Sequence, residues 1–144
     1  MNLTTTRFGA IEIDERNLFT FPEGLIGFSN FKRYALYERA KDGPFKWLQC
    51  VDNPELAFVI TDPVLFISDY RAEVSEAEIA SIELKDMKEA RVMVIVMVAH
   101  DDPAQTRANL RGPLVFNTAN NMAKQLVLSE EYPLRYNLAQ PRSA

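Results

Sequence analysis

Apolar and polar positions switch at short intervals along most of the chain. Ile11 and Ile13 alternate with Glu12 and Asp14, and Phe19 and Phe21 alternate with Leu18 and Thr20. The segments RYALYE (33–38), FKWLQCV (45–51) and LAFVI (56–60) are short and rich in aromatic and branched residues, which suit a pleated, half-buried surface. Asp42-Gly43-Pro44, Asp52-Asn53-Pro54 and Thr61-Asp62-Pro63 separate them with turn chemistry. RVMVIVMVA (91–99) is the most apolar piece and predicts a central strand covered on both faces.

One helix stands out against this strand-like background. Ser75 followed by Glu78 has the spacing of a capping box, and Val74 and Ile79 occupy the positions of a hydrophobic staple. Ile79 and Ile82 then give the three-residue spacing of a helix laid on a core, so a helix is predicted over residues 75–85. A weaker helical turn is expected after Gly24, through LIGFSNF. Toward the C-terminus, PLVFN and AKQLVL read as the arms of a hairpin with Thr118 to Met122 as its turn, where Asn120 and Asn121 tolerate a left-handed backbone. Pro113 lacks an N–H and belongs at a strand start or an edge. Short strands at regular spacing with one helix predict an all-β fold, an antiparallel β-barrel-like arrangement, rather than a βαβ fold.

Composition narrows the class. A chain of 144 residues with 47% hydrophobic positions can bury a real core and fits a single domain, residues 1–144. The net charge of −4 argues against direct binding of nucleic acid and permits a basic protein partner. The one cysteine, Cys50, leaves no intrachain disulfide or multi-cysteine zinc site. No cationic start precedes an apolar segment, and the apolar run at 92–99 is far short of the ~20 residues that span a bilayer. A cytoplasmic protein with no membrane contact is expected.

Candidate chemistry is sparse. His100-Asp101-Asp102 carries metal-binding residue types, but neighbours on an extended chain point to opposite sides, and Pro103 follows; a polar turn is the expected role. A Cys50–His100 nucleophile–base pair would need Cys50 to leave an apolar strand, where a thiol is ordinarily buried and inert. Gly24 and Gly27 lie outside the context of a phosphate loop. No catalytic residue, metal or cofactor is therefore expected. Asp52, Glu55, Asp62, Asp69, Asp101 and Asp102 fall in or near turns and could form an acidic rim for a cationic partner. Trp47, Tyr34, Tyr37 and Tyr70 suit a core, while amphipathic aromatics such as Tyr70 also suit an interface.

FPEGLIGF (21–28), WLQCVDNPELAFVITDP (47–63) and TRANLRGPLVFN (106–117), followed by AKQLVL and YPLR, resemble in order and spacing the FliW flagellar assembly factors, over roughly residues 3–136. The matching positions are Gly24, Gly27, Phe28, Trp47, Leu48, Gln49, Pro54, Phe58, Asn109, Leu110, Pro113, Asn117 and Gln125, together with Thr106. Cys50 departs from the pattern, which has a small polar residue there. The resemblance implies an antiparallel β-barrel-like fold, no catalysis and a partner-switching role. Similar proteins bind flagellin in the cytoplasm and, once flagellin is exported, bind the translational repressor CsrA, which frees flagellin mRNA for translation. They are understood to act on CsrA away from its RNA-binding surface. The expected unbound state is a monomer. A small-ligand or flavin-type barrel enzyme is the alternative that such a fold could also support. For Asn109 and Asn117 a structural role is expected, because Gly112-Pro113 needs fixing and a carboxamide both donates and accepts.

Overall fold

The computed structural model describes residues 1–98 and 101–138. Among these, the strands run β1 (Asn2–Thr5), β2 (Gly9–Glu12), β3 (Leu18–Thr20), β4 (Arg33–Tyr37), β5 (Phe45–Cys50), β6 (Ala57–Thr61), β7 (Ala90–Met97), β8 (Arg107–Ala108), β9 (Leu114–Asn117), β10 (Met122–Gln125) and β11 (Tyr136–Asn137), with one helix, α1 (Glu76–Ser81), between β6 and β7. In spatial order β7-β6-β5-β4-β3-β10-β9, seven strands pair side by side, and β9 returns to pair with β7 and closes a barrel. The pairs are antiparallel except β3 with β10, which run parallel through Met122 opposite Thr20. The hairpin of β9 and β10 forms as expected, with Pro113 directly before β9, but Met122 already pairs with Asn117, so the turn is 118–121, and β10 stops at Gln125 rather than running on to Leu128. β8 and β11 extend the sheet from the far half of β7. β1 and β2 form a separate hairpin.

Period-two alternation sorts the side chains into layers. Phe19, Phe21, Tyr34, Leu48, Ile60 and Phe116 fill the barrel with neighbouring buried residues. Phe116 meets Phe19 and Phe21 edge-on at 4.9 and 5.7 Å between ring centres. β7 is covered on both faces as predicted. Met93 and Ile95 face the barrel core, while Val94 and Val96 pack outside with Ala108 and Leu110. The β1–β2 hairpin lays Leu3, Ile11 and Ile13 over Ala35 on the outer face of β4. Helix α1 and its exit cover another outer face, where Ile82 and Leu84 pack on Val115, Leu126 and Leu128.

Two other local expectations need correction. The helix ends at Ser81, short of residue 85. Glu83 adopts a left-handed φ of 56°, its N–H donates to Ala80 O, and Leu84 N–H donates to Ile79 O, which is the pattern of a Schellman stop. At its start, Ser75 Oγ accepts from Glu78 N–H at 3.2 Å, one half of the capping box. The Glu78 carboxylate instead faces Lys124 Nζ at 3.2 Å. The segment after Gly24 is a loop and not a helical turn. Gly24 and Gly27 hold φ of 69° and 87°, outside the helical region, and a Leu25–Phe28 bridge closes the loop.

Ser75→Ala should lower stability by about 1 kcal/mol, and Phe116→Ala by roughly 3–5 kcal/mol. Urea denaturation monitored by circular dichroism measures both, and a Phe116→Ala loss no larger than that of Ser75→Ala would contradict the packing described.

Candidate functional site

Strand register decides which segments meet at each end of the barrel. Thr20, the end of β3, opposes Arg33, the start of β4. Tyr34 opposes Cys50 at the end of β5, and Gln49 opposes Ala57 at the start of β6. Val59 opposes Val96, so β7 exits beside the start of β6. Leu114 opposes Gln125, placing the start of β9 and the end of β10 there too. One end of the barrel thus gathers the 21–32 loop, the 51–56 turn, the exit of β7, the 109–113 turn and residues 125–128. Gly24, Gly27, Phe28, Gln49, Pro54, Phe58, Asn109, Pro113 and Gln125 therefore converge on this end despite their separation in sequence. Asn117 lies at the opposite end, and Trp47 and Leu48 lie within β5.

Carboxamides brace this end by bonding to the backbone. Gln125 joins two loops: its Oε1 accepts from Ile26 N–H at 2.8 Å and its Nε2 donates to Gly112 O at 3.0 Å. Asn109 Oδ1 accepts from the N–H groups of Arg111 and Gly112 at 3.1 and 2.9 Å. A Cβ on Gly112 would come within 2.9 Å of Gln125 Nε2, so a side chain there would press on the amide that clamps the turn. Gln49, fully buried, points its Nε2 at the carbonyls of Cys50, Asn53, Pro54 and Leu56 at 3.1–3.4 Å, fixing the 51–56 turn from beneath. Gly24 is the more tightly constrained, since a Cβ there would lie 2.7 Å from the Ser29 Cα and its φ of 69° is left-handed. Phe28 rests edge-on against Phe58 at 5.3 Å.

The far end uses the same chemistry. Asn117 Nδ2 and Asn120 Nδ2 both donate to Ile82 O, at 2.9 and 3.1 Å, and so tie the helix exit to the barrel. Asn117 Oδ1 accepts from Ala119 N–H at 3.0 Å. Asn121, with a left-handed φ of 60°, donates its Nδ2 to the carbonyls of Glu15, Arg16 and Leu18 at 2.8–3.1 Å. The roles of Asn120 and Asn121 exceed what their turn position suggests; the Asn-Asn pair was the visible signal.

The acidic residues do not form one rim. Asp52 and Glu55 sit in the braced end, but Asp52 makes an ion pair with Arg33 at 2.7 Å. Asp101 and Asp102 follow the β7 exit and are exposed, with Asp102 Oδ1 accepting from Ala104 N–H. Asp62 lies at the other end of β6, where it caps the following turn through Val64 N–H, and Asp69 is farther along that connection. Tyr70 is half-buried and donates its hydroxyl to Leu110 O at 2.8 Å; burial pushes its ionisation well above the ordinary tyrosine range. Leu110 is buried in the same outer cluster.

Trp47 anchors a side cluster instead of the end. Its Nε1 donates to Asp42 Oδ2 at 3.2 Å, Arg39 pairs with the same carboxylate at 2.6 Å, and Arg7 lies over the indole at 4.7 Å. Hydrogen bonding from Arg39 holds the Asp42 carboxyl below its usual range. Cys50 is buried in the barrel core, and burial raises its thiol above the ordinary value. His100 lies outside the described residues. Among the described residues no group of three or more His, Cys, Asp or Glu side chains is arranged to hold a metal. Sequence reading missed the exposed Ile26 and Val127 and the buried-side Lys124 that contacts both Glu23 and Glu78. The placement of Ile26 between two close glycines was the available signal for the first.

Asn109→Ala and Asn117→Ala should each lower stability by roughly 1–3 kcal/mol, because backbone groups lose their partner. Comparison of thermal melts with partner binding checks this, and an unchanged melt with lost binding would make them contact residues. Asp42 has a depressed folded pKa, so its contribution is present above the ordinary carboxylate pKa of about 4 and fades as pH falls through the folded value. Asp42→Asn should accordingly flatten the loss of stability in acid, as read from urea titrations at a series of pH values below about 5.

Known proteins are similar in both sequence and fold. The family model described as FliW protein matches residues 2–138. The flagellar assembly factor FliW of Leptospira biflexa is 36% identical over 139 residues, covering 96% of this chain and 91% of its own. That of Natranaerobius thermophilus is 40% identical over 141 residues, covering 98% and 91%. A crystal structure of the flagellar assembly factor FliW superposes with a TM-score of 0.85 at 29% identity, covering 96% of each chain. These matches along nearly the whole length, in sequence and in fold, place the chain in the FliW family of flagellar assembly factors.

Proposed function

We propose that this chain is a non-catalytic regulatory protein of the cytoplasm that binds flagellin or the translational repressor CsrA, antagonising CsrA so that flagellin mRNA is translated. The observation that carries this reading is the braced end. Its carboxamides are bonded to backbone, its lumen side is filled by aromatic and aliphatic side chains, and its outward features are acidic turns and exposed apolar residues. That combination suits recognition of a protein more than chemistry on a small molecule. The relatives' name, flagellar assembly factor, agrees with a role in building the flagellum. Among the described residues no helix is long and apolar enough to cross a membrane.

CsrA must carry basic surface to hold RNA phosphates, and this chain carries a net charge of −4, so opposite overall fields steer the encounter even where the contact itself lies away from the RNA-binding surface. Of the acidic turns, Glu55, Asp101 and Asp102 at the braced end are the foremost candidates. Asp52 is matched one to one by Arg33, and Asp62 and Asp69 lie in the connection from the opposite end.

The test is titration calorimetry against CsrA at two salt concentrations, with and without flagellin. Exposed pairs contribute about 0–1 kcal/mol each, so one charge reversal should slow association while a combined reversal of Glu55, Asp101 and Asp102 weakens the complex clearly. Flagellin should weaken CsrA binding, and CsrA should weaken flagellin binding by the same factor. Independent simultaneous binding would overturn the switch, and indifference to salt and to the combined reversal would overturn the acidic contribution.

A further inference from the structure

The braced end carries a feature that its bracing alone does not explain. Ile26 is 62% exposed and Val127 is 73% exposed, and both line one shallow groove of about 300 Å³. Ile26 is held at the tip of its loop by the left-handed Gly24 and Gly27 and by Gln125 Oε1 on its N–H. An exposed aliphatic residue on a backbone fixed in this way has little backbone freedom left to lose on binding, which favours an interface anchor.

The charge beside it has a direction. Lys124 Nζ contacts Glu23 Oε2 at 2.8 Å and Glu78 Oε2 at 3.2 Å. The lysine side chain is only 19% exposed, whereas Glu23 is 68% and Glu78 36% exposed. One withdrawn cation thus faces two carboxylates, of which Glu23 is the more exposed, and the groove presents apolar surface with a rim that keeps a net negative charge. Such a rim repels a second copy of itself, nucleic acid and an anionic lipid surface, and attracts lysine or arginine.

We propose that the Ile26–Val127 groove is the docking site for a basic protein partner, one that seats an aliphatic contact between the two residues and sets a lysine or arginine against Glu23 and Glu78. This rests on the protein-binding reading above and identifies the surface within it that meets the basic partner.

The experiment measures the affinity of purified CsrA for the wild-type chain and for Ile26→Asp, Val127→Asp, Glu23→Lys and, as a control away from this end, Leu65→Asp, which alters another exposed apolar residue. Circular dichroism melts accompany each variant. Ile26→Asp and Val127→Asp should each weaken binding by roughly 30-fold or more, as interface anchors do. Glu23→Lys should weaken it by less and reduce its salt dependence, and Leu65→Asp should leave it unchanged. The two anchor variants alter separate segments, so a folding defect in one leaves the other to decide. A wild-type chain that does not bind CsrA would overturn the functional reading and this site with it. Wild-type binding with both well-folded anchor variants unaffected would overturn the site alone. A wild-type dimer in sedimentation that Ile26→Asp abolishes would make a second copy the occupant and likewise overturn it.

Discussion

A barrel closed from strands of three to eight residues has little ladder and many loose ends, and every buried backbone donor and acceptor at those ends needs a partner. Carboxamides meet this constraint here. One Gln or Asn side chain supplies both donors and an acceptor, so it can complete a turn and clamp a neighbouring one together. Gln125 does this at one end, and Asn117 and Asn120 at the other, while Gln49 and Asn121 use their donors alone and Asn109 its acceptor. The apolar core provides most of the driving force for collapse, but the amides determine which loop conformation the collapsed chain adopts. The precise placement of Ile26 is one product of that determination.

The fold was legible in the sequence where local chemistry decides the outcome. Turn residues cut the chain into strands, and the unbroken apolar run of β7 correctly announced cover on both faces. Legibility ended where distant residues decide. Helix α1 stops early because Glu83 turns left-handed while Ile82 O is held by amides some 35 and 38 residues away, and no local pattern around residue 82 encodes that. A helical turn is expected after Gly24, but two glycines with positive φ direct the chain into a loop instead.

The site divides along the same line. Residue types suited to backbone bonding could be recognised, but the carbonyls and N–H groups they choose could not, since those depend on register. The acidic turns illustrate the cost of lacking register: Asp52 and Asp62 both precede a nearby proline in the sequence, yet one strand length places them at opposite ends of the barrel. Charge alone suggested a single rim, whereas topology divides it.

The seam between β3 and β10 has a consequence for how the protein comes into being. These strands pair in parallel through Met122 and Thr20, and Asn121 bonds to carbonyls 103 to 106 positions earlier. During synthesis β3 through β7 can form a curved open sheet, but the cylinder cannot shut until the last hairpin has left the ribosome. Until then the outer edges of β3 and β7 stay uncovered, ready to pair with any strand that passes. Such long-range closure is slow relative to hairpin formation, so the nascent chain spends its most vulnerable interval as an unclosed sheet.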